Sequence, residues 1–181
     1  MLAAGARYLE TRARSVAEFR RHLVGAGYRP ELVEATIARL TDLGFLDDDA
    51  FATAWVEARD RSRPRGATAL RSELRAKGID EATIRRVIAE REPVPDVTFD
   101  GPSADEAAAE RLLERRGRAI LRVADPRVRR ERAYGLLARS GFGPDVAASA
   151  AARFVRTADE AAADDLAGDV DAAFDPESGA P

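Results

Sequence analysis

Apolar residues recur along this chain at intervals of three and four, the spacing that lines one face of a helix. Glycine, proline and aspartate interrupt the pattern where helices stop and start. Val16, Phe19, Leu23 and Ala26 make one stripe, and Val33, Ile37, Leu40 and Leu43 the next, with Thr36 between. Phe51, Ala52, Trp55 and Ala58 begin a third, followed by Leu70 and Leu74 and then by Ile84, Val87 and Ile88. The pattern predicts an all-α protein with no strand.

The stretch Gly44–Ala52 organises the rest. Gly44 suits the left-handed turn that ends a helix, and Phe45 after it is expected to supply the apolar contact of such a cap. Asp47 or Asp48 then caps the next helix, with the clustered carboxylates at its positive end. Three aspartates in a row also raise a metal site, but they lack the alternating oxygen ligands and closing glutamate of a calcium loop, so capping is the reading taken. A first helix is expected over residues 2–12, Ser15-Val16-Ala17-Glu18 reads as a capping box, and Pro30 and Asp80 open further helices. Ile84, Val87 and Ile88 stand at the same offsets from Gly78 as Val33, Thr36 and Ile37 from Gly27, an internal repeat of about 51 residues. Such a period marks helical arrays.

Beyond Glu92, Pro93, Pro95, Gly101 and Pro102 lie among acidic residues and read as a linker. Ser103 to Glu106 is a further capping box, Gly117 a bend, and Asp125-Pro126 and Pro144 open two more helices, the last with Ala147, Ala150, Ala151 and Phe154 inward. Aligning Leu23, Leu74 and Leu137 brings Gly27-Tyr28, Gly78-Ile79 and Gly141-Phe142 into register. The expected organisation is therefore three tandem three-helix repeats, at 1–45, 46–91 and 103–156, joined by a linker at 92–102 and followed by a disordered acidic tail at 157–181.

Charge is segregated along the chain. Residues 1–91 carry a net +3, 92–110 carry −6, 111–156 carry +8 and 157–181 carry −8. A basic body therefore alternates with acidic connecting segments. The absence of cysteine removes disulfides and thiol chemistry and suits a cytoplasmic protein. No apolar run reaches the roughly 18 residues of a membrane span, and no secretory leader is seen. With His22 the only histidine, no histidine-based triad or multi-histidine metal site can be assembled, and without a phosphate-binding glycine loop nucleotide binding has no candidate; no cofactor or metal is expected. A binding protein without turnover is expected.

Gly44–Ala52, Arg14-Ser15-Val16-Ala17-Glu18-Phe19 upstream, and Arg65-Gly66 and Glu73-Leu74-Arg75-Ala76-Lys77-Gly78-Ile79 downstream together resemble the RecX family of regulatory proteins. The resemblance covers about residues 5–156; Tyr134–Phe142 is its best match in the third repeat. It implies an elongated, curved array of three-helix repeats that binds the RecA recombinase, typically in the groove of its filament on DNA, and modulates, most often inhibits, its recombination and ATPase activities.

The candidate contact residues are all arginines. Arg71 and Arg75 lie beside Leu70 and Leu74 but off their face, Arg65 also points away, and Arg20 takes the place of Arg71 in the first repeat. Arg127, Arg129, Arg130 and Arg132 form a denser cluster with little acid nearby, which favours binding over a solvated face. Trp55 shares a helical phase with Phe51 and reads as core rather than as a partner anchor. The expected partners are RecA or its DNA filament, for a monomer without cofactors. Two rivals stand beside this: a direct DNA binder, since short helix pairs joined at glycine resemble helix-turn-helix units, and a helical scaffold for an unrelated protein.

Overall fold

The computed structural model describes residues 8–9, 12–92 and 101–172, with side chains as far as Asp164. Within them the helices are Val16–Gly25 (α1), Pro30–Asp42 (α2), Asp48–Ser62 (α3), Ala67–Ala76 (α4), Glu81–Glu90 (α5), Ala104–Arg116 (α6), the single turn Arg118–Leu121 (α7), Pro126–Arg139 (α8) and Pro144–Ala172 (α9). No strand is present among the described residues. Of the helix expected over 2–12, Tyr8 and Leu9 are helical and Arg12 is not; the rest lies outside the described residues, as do 93–100 of the expected linker. α1 packs on α2, α3 and α4 pack on α5, and α6 and α8 pack on α9.

The apolar stripes close into three separate cores. The first gathers Phe19, Leu23, Val33, Ile37, Leu40 and Leu46, with Tyr8 and Tyr28 against it. In the second, Phe51, Val56, Leu70, Leu74, Ile79, Ile84, Val87 and Ile88 pack together, with Trp55 at the edge. The third is built largely from alanine (Ala108, Ala109, Ala133, Ala147, Ala150 and Ala151) around Leu112, Leu113, Leu137 and Phe142. Small side chains there bring helices close, and a Cβ on Gly117 would run into the Phe154 ring. That explains the glycine between α6 and α7, whose φ of −78° needs none.

The helix ends follow the sequence closely. Gly27, Gly44, Gly78 and Gly141 all have positive φ, at 83°, 73°, 81° and 83°. At each one the same pair of bonds closes the helix, as in Gly78 N–H to Arg75 O (2.9 Å) and Ile79 N–H to Leu74 O (3.1 Å). This is the double bond of a Schellman turn. Asp47 caps α3 by accepting from the N–H groups of Asp49 and Ala50, and Asp80 does the same for α5. Ser103 and Glu106 form the complete capping box.

Several details differ, among them Ala26 and Ala58, which the stripes place inward and which are exposed. At Gly44 the apolar contact comes from Leu46, which is buried, while Phe45 is 66% exposed. Leu43, placed on the stripe of α2 by its spacing, is the C-cap and faces solvent. Ser15 accepts from Glu18 N–H, but the Glu18 carboxylate does not return to close a box; it goes to Lys77 and Arg12. Finally, α9 does not stop near Arg156 but runs through 157–172, where a disordered tail was expected. Alanine is the best helix former, the acidic residues are spaced among alanines, and Arg156 pairs with Glu160 one turn on. Residues 173–181 of that tail lie outside the described residues.

Successive units dock by one repeated device. Ser15, the N-cap of α1, donates its hydroxyl to Lys77 O, just before Gly78, while Val16 N–H donates to the Asp48 carboxylate at the start of α3. One unit further on, Gly66, the N-cap of α4, donates its N–H to Ser140 O, just before Gly141, while Ala67 N–H donates to Asp105 at the start of α6. In each joint a helix N-terminus of one unit meets the glycine turn and a carboxylate of the next. The backbones approach so closely that a Cβ on Gly78 would collide with Ala17, and one on Gly141 with Ala69.

This separates two costs at the glycine turns. Gly27 has open space where its Cβ would go, so Gly27→Ala should lose only the left-handed strain, about 1 kcal/mol. Gly141→Ala carries the same strain plus a collision across the joint, and should lose clearly more in denaturant unfolding. Equal losses would show that the close approach carries no weight.

Candidate binding surface

The arginines singled out by sequence fall into two environments. Those of the first two units are largely engaged. Arg20 grips Glu34 with two bonds of 2.6 and 2.9 Å, and Arg75 grips Glu81 with two of 2.9 Å. The two guanidinium groups hold the Glu34 and Glu81 carboxyls below their ordinary range. Arg65 stands 3.8 Å from Glu73, whose carboxylate also accepts from Arg59 and from the Trp55 indole N–H. Arg71 is half-buried on α4 and has no carboxylate within ion-pair distance among the described residues. Trp55 sits at the margin of the second core between the cations of Arg59 and Lys77, at 4.5 and 4.7 Å from its ring centre.

The third unit is different. Arg127, Arg130 and Arg132 are exposed, and none has a carboxylate within 4 Å among the described residues. Arg129, one residue away, points inward: its side chain is 14% exposed and pairs with Asp159 of α9 at 2.6 Å. The four arginines therefore do not act as one cluster, and Arg129 is a tie between α8 and α9. Arg127 and Arg130 share the flank of α8 that faces α9, beside Tyr134. Arg132 lies on the other flank, where Arg116, Arg139, Glu131, Tyr134 and Ile120 line an open groove of about 950 Å³. Sequence spacing alone missed Arg116 and Arg139, since their helices converge only in the fold.

Acid is concentrated elsewhere. Asp47, Asp48, Asp49 and Asp80 lie close together at the first joint. Burial, relieved by the bond from Val16 N–H but reinforced by Asp47, Asp80 and Asp49, pushes the Asp48 carboxyl up. Asp49 is held down, chiefly by Arg86 and Thr83. At Glu18, burial alone would raise the carboxyl, yet the bond from Lys77 at 2.5 Å and the charges of Lys77 and Arg12 bring it below the usual range. Each of these carboxylates is committed to a cap or an ion pair. Among the described residues no group of three histidine, aspartate or glutamate side chains is arranged to hold a metal, and no helix is long and apolar enough to cross a membrane.

Comparison with known proteins gives this architecture a context. Residues 2–40 match the family model for the first three-helix domain of RecX, and residues 47–88 the model for the second. A regulatory protein RecX from Mycolicibacterium smegmatis is 33% identical over 145 residues, covering 78% of this chain and 72% of the relative. One from Thermobifida fusca is 37% identical over 119 residues, 65% of this chain and 58% of that relative's length. Among solved structures, RecX from Lactobacillus salivarius superposes with a TM-score of 0.68 at 18% identity, over 84% of this chain and 93% of that one. A second RecX crystal structure gives 0.64 at 22% identity, over 80% and 66%. The Mycolicibacterium and Thermobifida relatives and the second crystal structure are named regulatory proteins.

The raised Asp48 carboxyl leads to a test of the first joint. Ionising Asp48 at neutral pH works against its neighbours, but its Oδ1 is the acceptor that Val16 N–H needs. Asp48→Asn keeps an acceptor and removes the charge, so its stability at pH 7 should equal or exceed wild type. Below about pH 4 the advantage should vanish, because wild-type Asp48 is then protonated in both folded and unfolded chains. Asp48→Ala, which strips the acceptor, should instead lose about 1 kcal/mol. Thermal melts across pH 3–7 check both, and an Asn variant weaker than wild type at pH 7 would contradict this account.

Proposed function

This chain belongs to the RecX family, and from that premise we propose that it binds the RecA recombinase on its DNA filament and restrains recombination and ATP hydrolysis. The binding is electrostatic in its steering and needs no chemistry from the chain itself. Its support is the uneven pairing of the arginines. In the first two units most candidate cations are matched by carboxylates of the same chain, whereas Arg127, Arg130 and Arg132 have none within 4 Å among the described residues. Unmatched guanidinium groups on a scaffold of packed helices present a preorganised positive surface to an acidic partner. Arg20 and Arg75 play a smaller part, since recruiting them means giving up Glu34 and Glu81 first. Arg65 and Arg71 are contacts of the same surface in this reading, and Arg129 supports it from behind.

A second reading, direct contact with duplex DNA, draws on the same unpaired arginines, because phosphates suit guanidinium groups as well as carboxylates do. The two part company under charge reversal. A variant with Arg127→Glu, Arg130→Glu and Arg132→Glu should keep its helical circular dichroism and melt within a few degrees of wild type, since exposed substitutions usually change stability by no more than about 0.5 kcal/mol. It should no longer lower RecA-dependent ATP hydrolysis or strand exchange. If the variant still restrains RecA fully, the surface is wrongly placed. If wild type instead binds naked duplex with a steep salt dependence that the reversals abolish, while the response of RecA persists, the DNA reading takes over.

A further inference from the structure

The break between α3 and α4, Arg63-Pro64-Arg65-Gly66, faces the C-terminal end of α6 across the second joint. A concavity of about 410 Å³ lies between them, lined by Arg63 and Arg65 from the second unit and Arg115 and Arg116 from the third, with Pro64 and Leu112 as its apolar wall. We infer that this concavity is a binding site for a small polyphosphate, a di- or triphosphate group bridging the two units. The inference does not rest on the recombinase reading.

Four arginines line one pocket to which no acidic residue contributes. Arg63 and Arg116 are exposed and have no carboxylate within 4 Å among the described residues. Arg65 has only the distant Glu73, at 3.8 Å, and that carboxylate is already bonded to Arg59 and Trp55. Helix C-termini normally repel anions, and the end of α3 is at the pocket. At the end of α3 the carbonyls are already covered, since Arg115 donates to Ser62 O at 2.9 Å and to Arg61 O at 2.8 Å, and Gly66 N–H covers Ser140 O. Those same bonds fix the Arg115 guanidinium, while the buried Arg91 donates to Arg65 O and holds the loop in place. The Arg115 guanidinium, and the backbone that carries Arg63 and Arg65, are thus held in position before any ligand arrives.

A single guanidinium can bind two phosphate oxygens through parallel bonds, and four arginines contributed by two units match a chain of linked phosphates better than a single one. The volume falls within the range of small-ligand pockets. A nucleic-acid strand is the poorer fit, because the concavity is the smaller of the two, about 410 Å³, whereas the groove of about 950 Å³ along α8 is the surface a long polymer can follow.

Isothermal titration of the full chain at about 0.15 M salt with sodium tripolyphosphate, pyrophosphate and orthophosphate tests the site. One tripolyphosphate should bind per chain, with affinity falling stepwise to pyrophosphate and orthophosphate. The double variant Arg63→Ala, Arg116→Ala should weaken tripolyphosphate at least about tenfold, the loss expected for two charge-assisted contacts, while melting like wild type without ligand. A variant with Arg127→Ala and Arg130→Ala should bind it as wild type does. No binding at millimolar tripolyphosphate, or equal weakening in both double variants, would overturn the inference. So would displacement of tripolyphosphate by a single-stranded oligonucleotide that itself depends on Arg63 and Arg116, since the pocket would then be a phosphodiester contact.

Discussion

The structure depends on the approach of a helix N-terminus in one unit to the glycine turn of the next. A helix start carries N–H groups without partners and a partial positive charge, and a left-handed turn presents a carbonyl on a backbone with no side chain in the way. At the first joint these are Ser15 and Val16 against Lys77, Gly78 and Asp48; at the second, Gly66 and Ala67 against Ser140, Gly141 and Asp105. Because each joint satisfies groups that would otherwise be buried unpaired, the units are docked by polar bonds although their apolar cores remain separate.

Salt bridges strengthen what the backbone sets up. Lys77 crosses the first joint to Glu18. At the second, Arg91, only 5% exposed, holds both Asp60 and Asp105. A buried arginine between two carboxylates is weak evidence of net stability but fixes geometry, since any other arrangement strands a charge. The proline-rich segment after Glu92 therefore need not set the position of the third unit, and the surface of unpaired arginines on α8 is carried on a docked body.

Much of this was legible in the sequence. The helix stops at Gly27, Gly44, Gly78 and Gly141, the caps at Asp47, Asp80, Ser103 and Asp125, and the matched triplets Val33–Thr36–Ile37 and Ile84–Val87–Ile88 are local, and local rules give them. What stayed hidden was set by partners distant in the chain. Glu18 has the spacing of a capping box, but Lys77 outbids the Ser15 backbone for its carboxylate. Asp48 looks like one of three capping aspartates and in fact serves a different helix. Arg129 shares the composition of its neighbours, and only the path of α9 shows that it turns inward to Asp159. Within the basic surface, composition located the third unit, while the choice among adjacent arginines needed the fold.

The central claim is that direct docking, and not the linker, fixes the three units relative to one another. The chain has no native cysteine, so Arg39→Cys on α2 and Arg118→Cys on α7, both exposed positions, can carry a pair of spin labels for pulsed electron-electron distance measurement. The account predicts one narrow distance distribution, unchanged when residues 93–100 are replaced by a glycine-serine run of equal length. A broad distribution, or one that shifts with the linker, would contradict it.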